Sequence, residues 1–120
     1  MRRLEEYVFT TLGPIVSGAV HPVVIPQAAR YPCIRYVTIG ASPESSTCGS
    51  SGLVRSQLQI DIFAEEYVDL RALREQVVAA MLDDFPLENI LVSEFEDYDT
   101  EPKLFRRVLT YSTAEQEGTA

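Results

Sequence analysis

A chain of 120 residues, 46% of them hydrophobic, is sized for one compact domain around one core, and a second domain is not expected. Its net charge of −8 and isoelectric point near 4.5 argue against a standing affinity for nucleic acid, which rests on clustered Lys and Arg releasing counterions from phosphate. Of the ten basic residues only Lys103 is a lysine, and arginine forks suit fixed hydrogen bonds at interfaces better than diffuse solubilising charge.

The opening stretch MRRLEEYVFTTLGPIV has two arginines, but glutamates follow and no apolar run reaches signal-peptide length, so the chain reads as one that stays in the cytosol. No apolar stretch approaches the roughly 18 residues a bilayer span needs, and no membrane role is expected. From Arg3 to Leu12, the residues Leu4, Tyr7, Val8 and Leu12 share a helical stripe, with Gly13-Pro14 ending the element. Val16 to Gln27 holds Val20, Val23, Val24 and Ile25 but is broken by Pro22 and Pro26, which predicts a short edge strand.

Pro32 leads into Cys33 to Gly40, rich in β-branched and aromatic residues and read as a strand. The next segment, ASPESSTCGSSG from Ala41 to Gly52, offers almost nothing to bury and predicts a long, mobile hairpin loop between antiparallel strands. Loops of that length usually bind something or are disordered.

The clearest signal follows. Val54, Leu58, Ile60, Ile62 and Ala64 alternate with Arg55, Gln57, Gln59, Asp61 and Phe63, which predicts a strand with one wet face. The period then changes: Leu70, Leu73, Val77, Ala80 and Met81 recur at helical steps, so a helix lies on the strand's dry face until Pro86 closes it. Ile90 to Tyr98 is a strand with Ile90, Val92 and Glu94 on one side and Leu91 and Phe95 less regularly placed. A turn near Thr100-Glu101-Pro102 returns the chain into a last strand, Leu104 to Tyr111. The tail 114–120 is too polar to pack and is expected to be disordered, leaving 1–113 as a single domain.

The predicted fold is α+β. It is a two-layer sandwich with an antiparallel sheet of four to five strands of mixed length, two helices on one face, and the order α-β-β-β-α-β-β.

Chemistry is sparse. His21 is the only histidine and sits between Val20 and Pro22 in an apolar edge segment, so no Ser-His-Asp or Cys-His mechanism is expected. Cys33 reads as a small core residue and Cys48 as a free thiol in a polar loop, too distant from each other to be a metal knuckle or a disulfide framework. The acidic run Glu94, Glu96, Asp97, Asp99 and Glu101 lacks the glycine and ligand spacing of a calcium loop and reads as a solvated face. CGSSG lacks the lysine and following helix of a phosphate cradle. Arg106 and Arg107 face opposite sides of a strand, so they form no common fork, and one of them is expected to meet the acids of the neighbouring strand. No catalytic residue, cofactor or metal site is expected.

Three segments in this order, YPCIRY at 31–36, GLVRSQLQIDIFA at 52–64 and the Tyr-led helix at 67–82, resemble the small tail-completion proteins of long-tailed bacteriophages and prophages. The resemblance spans about residues 3–113. It implies a non-enzymatic structural protein that caps the finished tail tube and joins it to the head connector, as a homo-oligomeric ring commonly of six copies. Its implied partners are the tail-tube and head-connector proteins, with no specific nucleic-acid binding. It would assemble in the host cytoplasm and remain in the virion tail. On that reading Glu44, Ser45, Ser46, Thr47, Arg55, Gln57, Gln59 and Phe63 are interface candidates, and Glu94, Glu96, Asp97 and Asp99 an acidic channel face along which DNA slides without sticking. The alternatives are a head-side connector component, a small adaptor or regulatory module binding through its exposed sheet face, and an enzyme whose site forms only between subunits.

Overall fold

A computed structural model describes residues 2–46 and 49–116, with side chains from 4 to 40 and from 54 to 114. The elements are α1 (Arg2–Leu12), a 3-10 helix (Gly13–Val16), β1 (Val20–Pro22), β2 (Cys33–Ser46), β3 (Gly49–Ala64), α2 (Tyr67–Asp83), β4 (Glu88–Asp99) and β5 (Leu104–Gln116). Among the described residues the sheet has five strands in the order β1-β2-β3-β5-β4. This is the predicted α+β sandwich.

The alternation of β3 decides which face is dry. Leu58, Ile60 and Ile62 are fully buried, and α2 lays Leu70, Leu73, Val77 and Met81 over them. α1 adds Leu4, Val8 and Leu12 to the same cluster, which Ile34 and Tyr36 of β2 and Leu109 and Tyr111 of β5 complete. α2 stops where expected: the amides of Asp84 and Phe85 both bond back to the Ala80 carbonyl, and Pro86 follows. No described helix is long and apolar enough to cross a membrane.

Four expectations need correction. β1 pairs with β2 in parallel through Val20, His21 and Pro22, so the sheet is mixed rather than wholly antiparallel, the chain making a full return through residues 23–32. α1 does not end the helical stretch at Gly13-Pro14. Proline suits the first turn of a helix, and the chain continues as the 3-10 turn that buries Val16.

Segment 41–52 is not a loop across its length. β2 and β3 run on as one long hairpin, pairing Ser42 with Arg55, Glu44 with Leu53 and Ser46 with Gly49. Backbone pairing carries the hairpin outward where there is nothing to bury; Thr47 and Cys48 lie outside the described residues. Finally, β5 runs to Gln116, entering the stretch expected to fray, because Ala114, Glu115 and Gln116 find partners in Arg55, Val54 and Leu53 of that extended hairpin.

Candidate functional site: the sheet face without helices

Both helices lie on one side, so the residues alternating with the core form an uncovered face. The ladders bring Arg35, Asp61, Val108 and Phe95 into one row across β2, β3, β5 and β4, and Cys33, Phe63, Arg106 and Asp97 into the next. Gln59 and Gln57 follow along β3, then Arg55. Of the interface candidates, Arg55, Gln57, Gln59 and Phe63 are therefore aligned on this face. Glu44, Ser45 and Ser46 lie in the hairpin extension with side chains outside the described set, as is Thr47 entirely.

Asp61 departs from the wet face predicted for it, being fully buried. Arg35 reaches across from β2 to bond its carboxylate, with Arg35 Nε 3.0 Å from Oδ2, while Gln59 Nε2 donates to Oδ1 at 2.9 Å. The Arg35 guanidinium also lies 5.7 Å from the centre of the Phe63 ring, so one side chain both neutralises the acid and roofs it. Arg106 repeats the device beside it: it forks onto Asp97 at 3.0 and 2.6 Å and sits 5.9 Å from the Phe95 ring. Val108 and Leu104 on the same face are buried as well, although no helix covers them. Between the two arginines an open pocket of about 390 Å³ is lined also by Phe63, Tyr98, Asp99 and Thr100.

The acidic candidates do not form one surface. A bulge at Val92, between the Leu91 and Ser93 pairings, shifts the phase of β4, so Glu94 and Glu96 turn to the helix side with Leu91 while Asp97 and Asp99 turn to the open face. On the helix side Arg74 of α2 grips Glu94 at 2.6 and 3.2 Å, Arg107 bridges Glu94 and Glu96, and the Tyr67 hydroxyl donates to Glu96 at 2.9 Å. The Arg74 hydrogen bonds, then those of Arg107, hold the Glu94 carboxyl below the ordinary value of 4.5. Tyr67 and then Arg107 do the same for Glu96, and Arg106 lowers Asp97. Asp99 accepts the Glu101 amide at 3.3 Å. Both Arg106 and Arg107 thus meet the acids of β4, where the sequence pointed to one. Arg35 and Arg106 were missed as members of the open face, and Asp61, placed there by the alternation, was missed as a buried residue; the sole signal in the sequence was the chance of an opposite charge one strand away.

His21 lies on β1 opposite Arg35, and Cys33 is buried, its thiol pushed up to about 11 by that burial. The arrangement offers fixed hydrogen-bonding forks, exposed rings and open backbone edges, which are the means of docking to another surface.

The family model for Tail completion protein gp17 matches residues 10–116 of the chain. Among solved structures, a chain from the virion of a native gene transfer agent particle superposes with a TM-score of 0.74 at 14% identity, covering 94% of each chain, a likeness of fold. A protein from Akkermansia muciniphila aligns at a TM-score of 0.43 and 4% identity over 99% of this chain and 78% of its own, too loosely to support an argument. No curated protein matches the chain.

Proposed function

Because the chain belongs to the Tail completion protein gp17 family of phage structural tail proteins, we propose that it caps the finished tail tube and joins it to the head connector as a ring of identical copies, six being the number implied by the resemblance. The observation that carries this is the family match itself, which spans every strand of the sheet from β1 to β5. The role asks for surfaces and no chemistry. It is supported by the uncovered face, where Arg55, Gln57, Gln59 and Phe63 present hydrogen-bonding groups and an aromatic ring to a neighbouring component.

The hairpin extension with Glu44, Ser45 and Ser46 reaches the tube end or the connector, and Thr47, which lies outside the described residues, belongs to the same contact. Beyond Leu53 it pairs with no described strand but itself, so trimming it leaves the folded core in place while joining fails. The acidic margin of β4, with Glu94, Glu96, Asp97 and Asp99, borders the channel, and a chain of net charge −8 lets DNA pass without adhering. Assembly takes place in the host cytoplasm and the protein remains in the virion tail.

The deciding experiment is electron microscopy of particles from cells in which this gene alone is deleted. Separate DNA-filled heads and free tails, some overlong, are expected. Normally joined particles would remove the tail-completion role.

A further inference from the structure

The sheet ends in two open edges. β4 is outermost on one side, and no described strand pairs with its outer edge from Glu88 to Asp99. On the other side β1 covers β2 only at Ile34, Arg35 and Tyr36, with the Val23 amide adding a bond to the Tyr36 carbonyl; from Val37 to Ser46 no described strand covers that side of β2. Open edges are rows of unsatisfied donors and acceptors, which proteins keep short or guard with charge.

The guarding here is uneven. One half of β4 carries Glu94, Glu96, Asp97 and Asp99, whereas the other carries Ile90 and Val92, 61% and 56% exposed. β2 beyond β1 begins with Val37 and Ile39, the latter 52% exposed, and has no charge before Glu44. The ladders fix the heights of these segments. Val37, Gln59, Thr110 and Ser93 are successive partners across the sheet, as are Gly40, Gln57, Ser112 and Ile90, and Ser42, Arg55, Ala114 and Glu88. The uncharged stretch of β2 therefore lies at one level with the part of β4 whose single charge is Glu88.

Building on the ring reading above, we propose that β4 of each copy, at residues 88–93, adds as an antiparallel neighbour to β2 of the next copy, at residues 37–42. A closed ring is a rotation without rise, and with the strands standing along the ring axis a contact between segments on one ladder level satisfies it. Strand direction agrees. β2 opposes β3, β3 opposes β5 and β5 opposes β4, so copies all standing the same way up bring β4 antiparallel to the next β2. Ile90 and Val92 then lie beside Val37 and Ile39, and the acidic half of β4 falls at the height of β1.

The test is disulfide trapping in assembled particles, in a Cys48→Ser background. Gly40→Cys has open space around its new side chain and stands at the height of Ile90→Cys; Gly40→Cys with Asp97→Cys is the control at a different height. A ladder of linked copies up to the closed ring with the first pair, and none with the control, is expected. Rings visible on tail ends without trapping by the first pair, or with equal trapping by both, would overturn edge pairing and leave the ring reading standing. Particles without any ring would overturn both. If the substituted chains do not enter particles, amide hydrogen exchange of the unmodified protein decides: protection gained on assembly over both 37–42 and 88–93 is expected, and its absence from either rejects the pairing.

Discussion

Arg35 and Asp61 stand directly opposite each other on β2 and β3, and their salt bridge hides a carboxylate completely on the one face of the sheet that no helix covers. The pair is lopsided, the Arg35 side chain being 26% exposed and that of Asp61 not at all. Water can replace the acid for the arginine. It cannot replace the arginine for the acid.

Arg35→Met is therefore expected to destabilise the fold by about 3 kcal/mol or more, because it strands a buried charge with the Gln59 amide as its hydrogen-bond donor and Arg106 acting only through its field. Asp61→Asn keeps an acceptor and leaves a solvated guanidinium, and should cost about 1 kcal/mol. Urea unfolding of the two variants checks the order, and a larger loss for Asp61→Asn would show that the carboxylate is not the vulnerable partner.

The network around Glu94 makes the fold sensitive to acid. Glu94, Glu96 and Asp97 all have folded values held below their ordinary ones by arginine and tyrosine donors. A depressed folded value contributes stability above the unfolded value, here 4.5 for the glutamates, and that contribution disappears as pH falls through the lowered folded value. Thermal melts should hold steady near neutrality and decline below that point, with a shallower decline for Glu94→Gln. An unchanged slope in that variant would assign the sensitivity to other carboxyls.

Tyr111 is buried in the core with its hydroxyl lacking a hydrogen-bond partner among the described residues, and burial pushes its ionisation up to about 12. An unsatisfied buried hydroxyl is a cost that phenylalanine does not carry. Tyr111→Phe should match or exceed the parent in stability, by up to about 1 kcal/mol. Destabilisation by that amount would reveal a partner for the hydroxyl.

Cys33 is fully buried on the uncovered face and its thiol is held protonated by burial. In a Cys48→Ser background, reaction with an aromatic disulfide reagent at neutral pH should wait for unfolding and accelerate with urea in step with loss of structure. Rapid labelling of the native chain would mean that whatever buries Cys33 opens freely.

The fold was legible wherever side-chain burial follows a period. The alternation of Leu58, Ile60 and Ile62 and the stripe of Leu70, Leu73, Val77 and Met81 report the same dry interface from its two sides. The hairpin beyond Ala41 was illegible because its pairing is backbone to backbone and its Ser and Gly residues carry no burial pattern. In β4 a single extra residue at Val92 reverses the sense of everything after it, which no period can anticipate. Asp61 obeyed the alternation and still proved buried, because its cover comes from Arg35 on another strand. Of the site, the row Arg55, Gln57, Gln59 and Phe63 could be read from β3 alone. The arginine roofs required knowing which strands are neighbours.

The central seam between β3 and β5 has a consequence for synthesis. β2 and β3 form a hairpin from adjacent sequence, whereas β5 reaches β3 only after α2, β4 and the turn behind it have been made. A nascent chain can thus close its first hairpin early, yet Leu58 and Ile60 keep a bare flank until Tyr111 and Leu109 leave the ribosome, after the whole of α2 and β4. For most of that interval the growing polypeptide exposes a sticky strand, so crowded hosts making many copies should depend on chaperone shielding at this step.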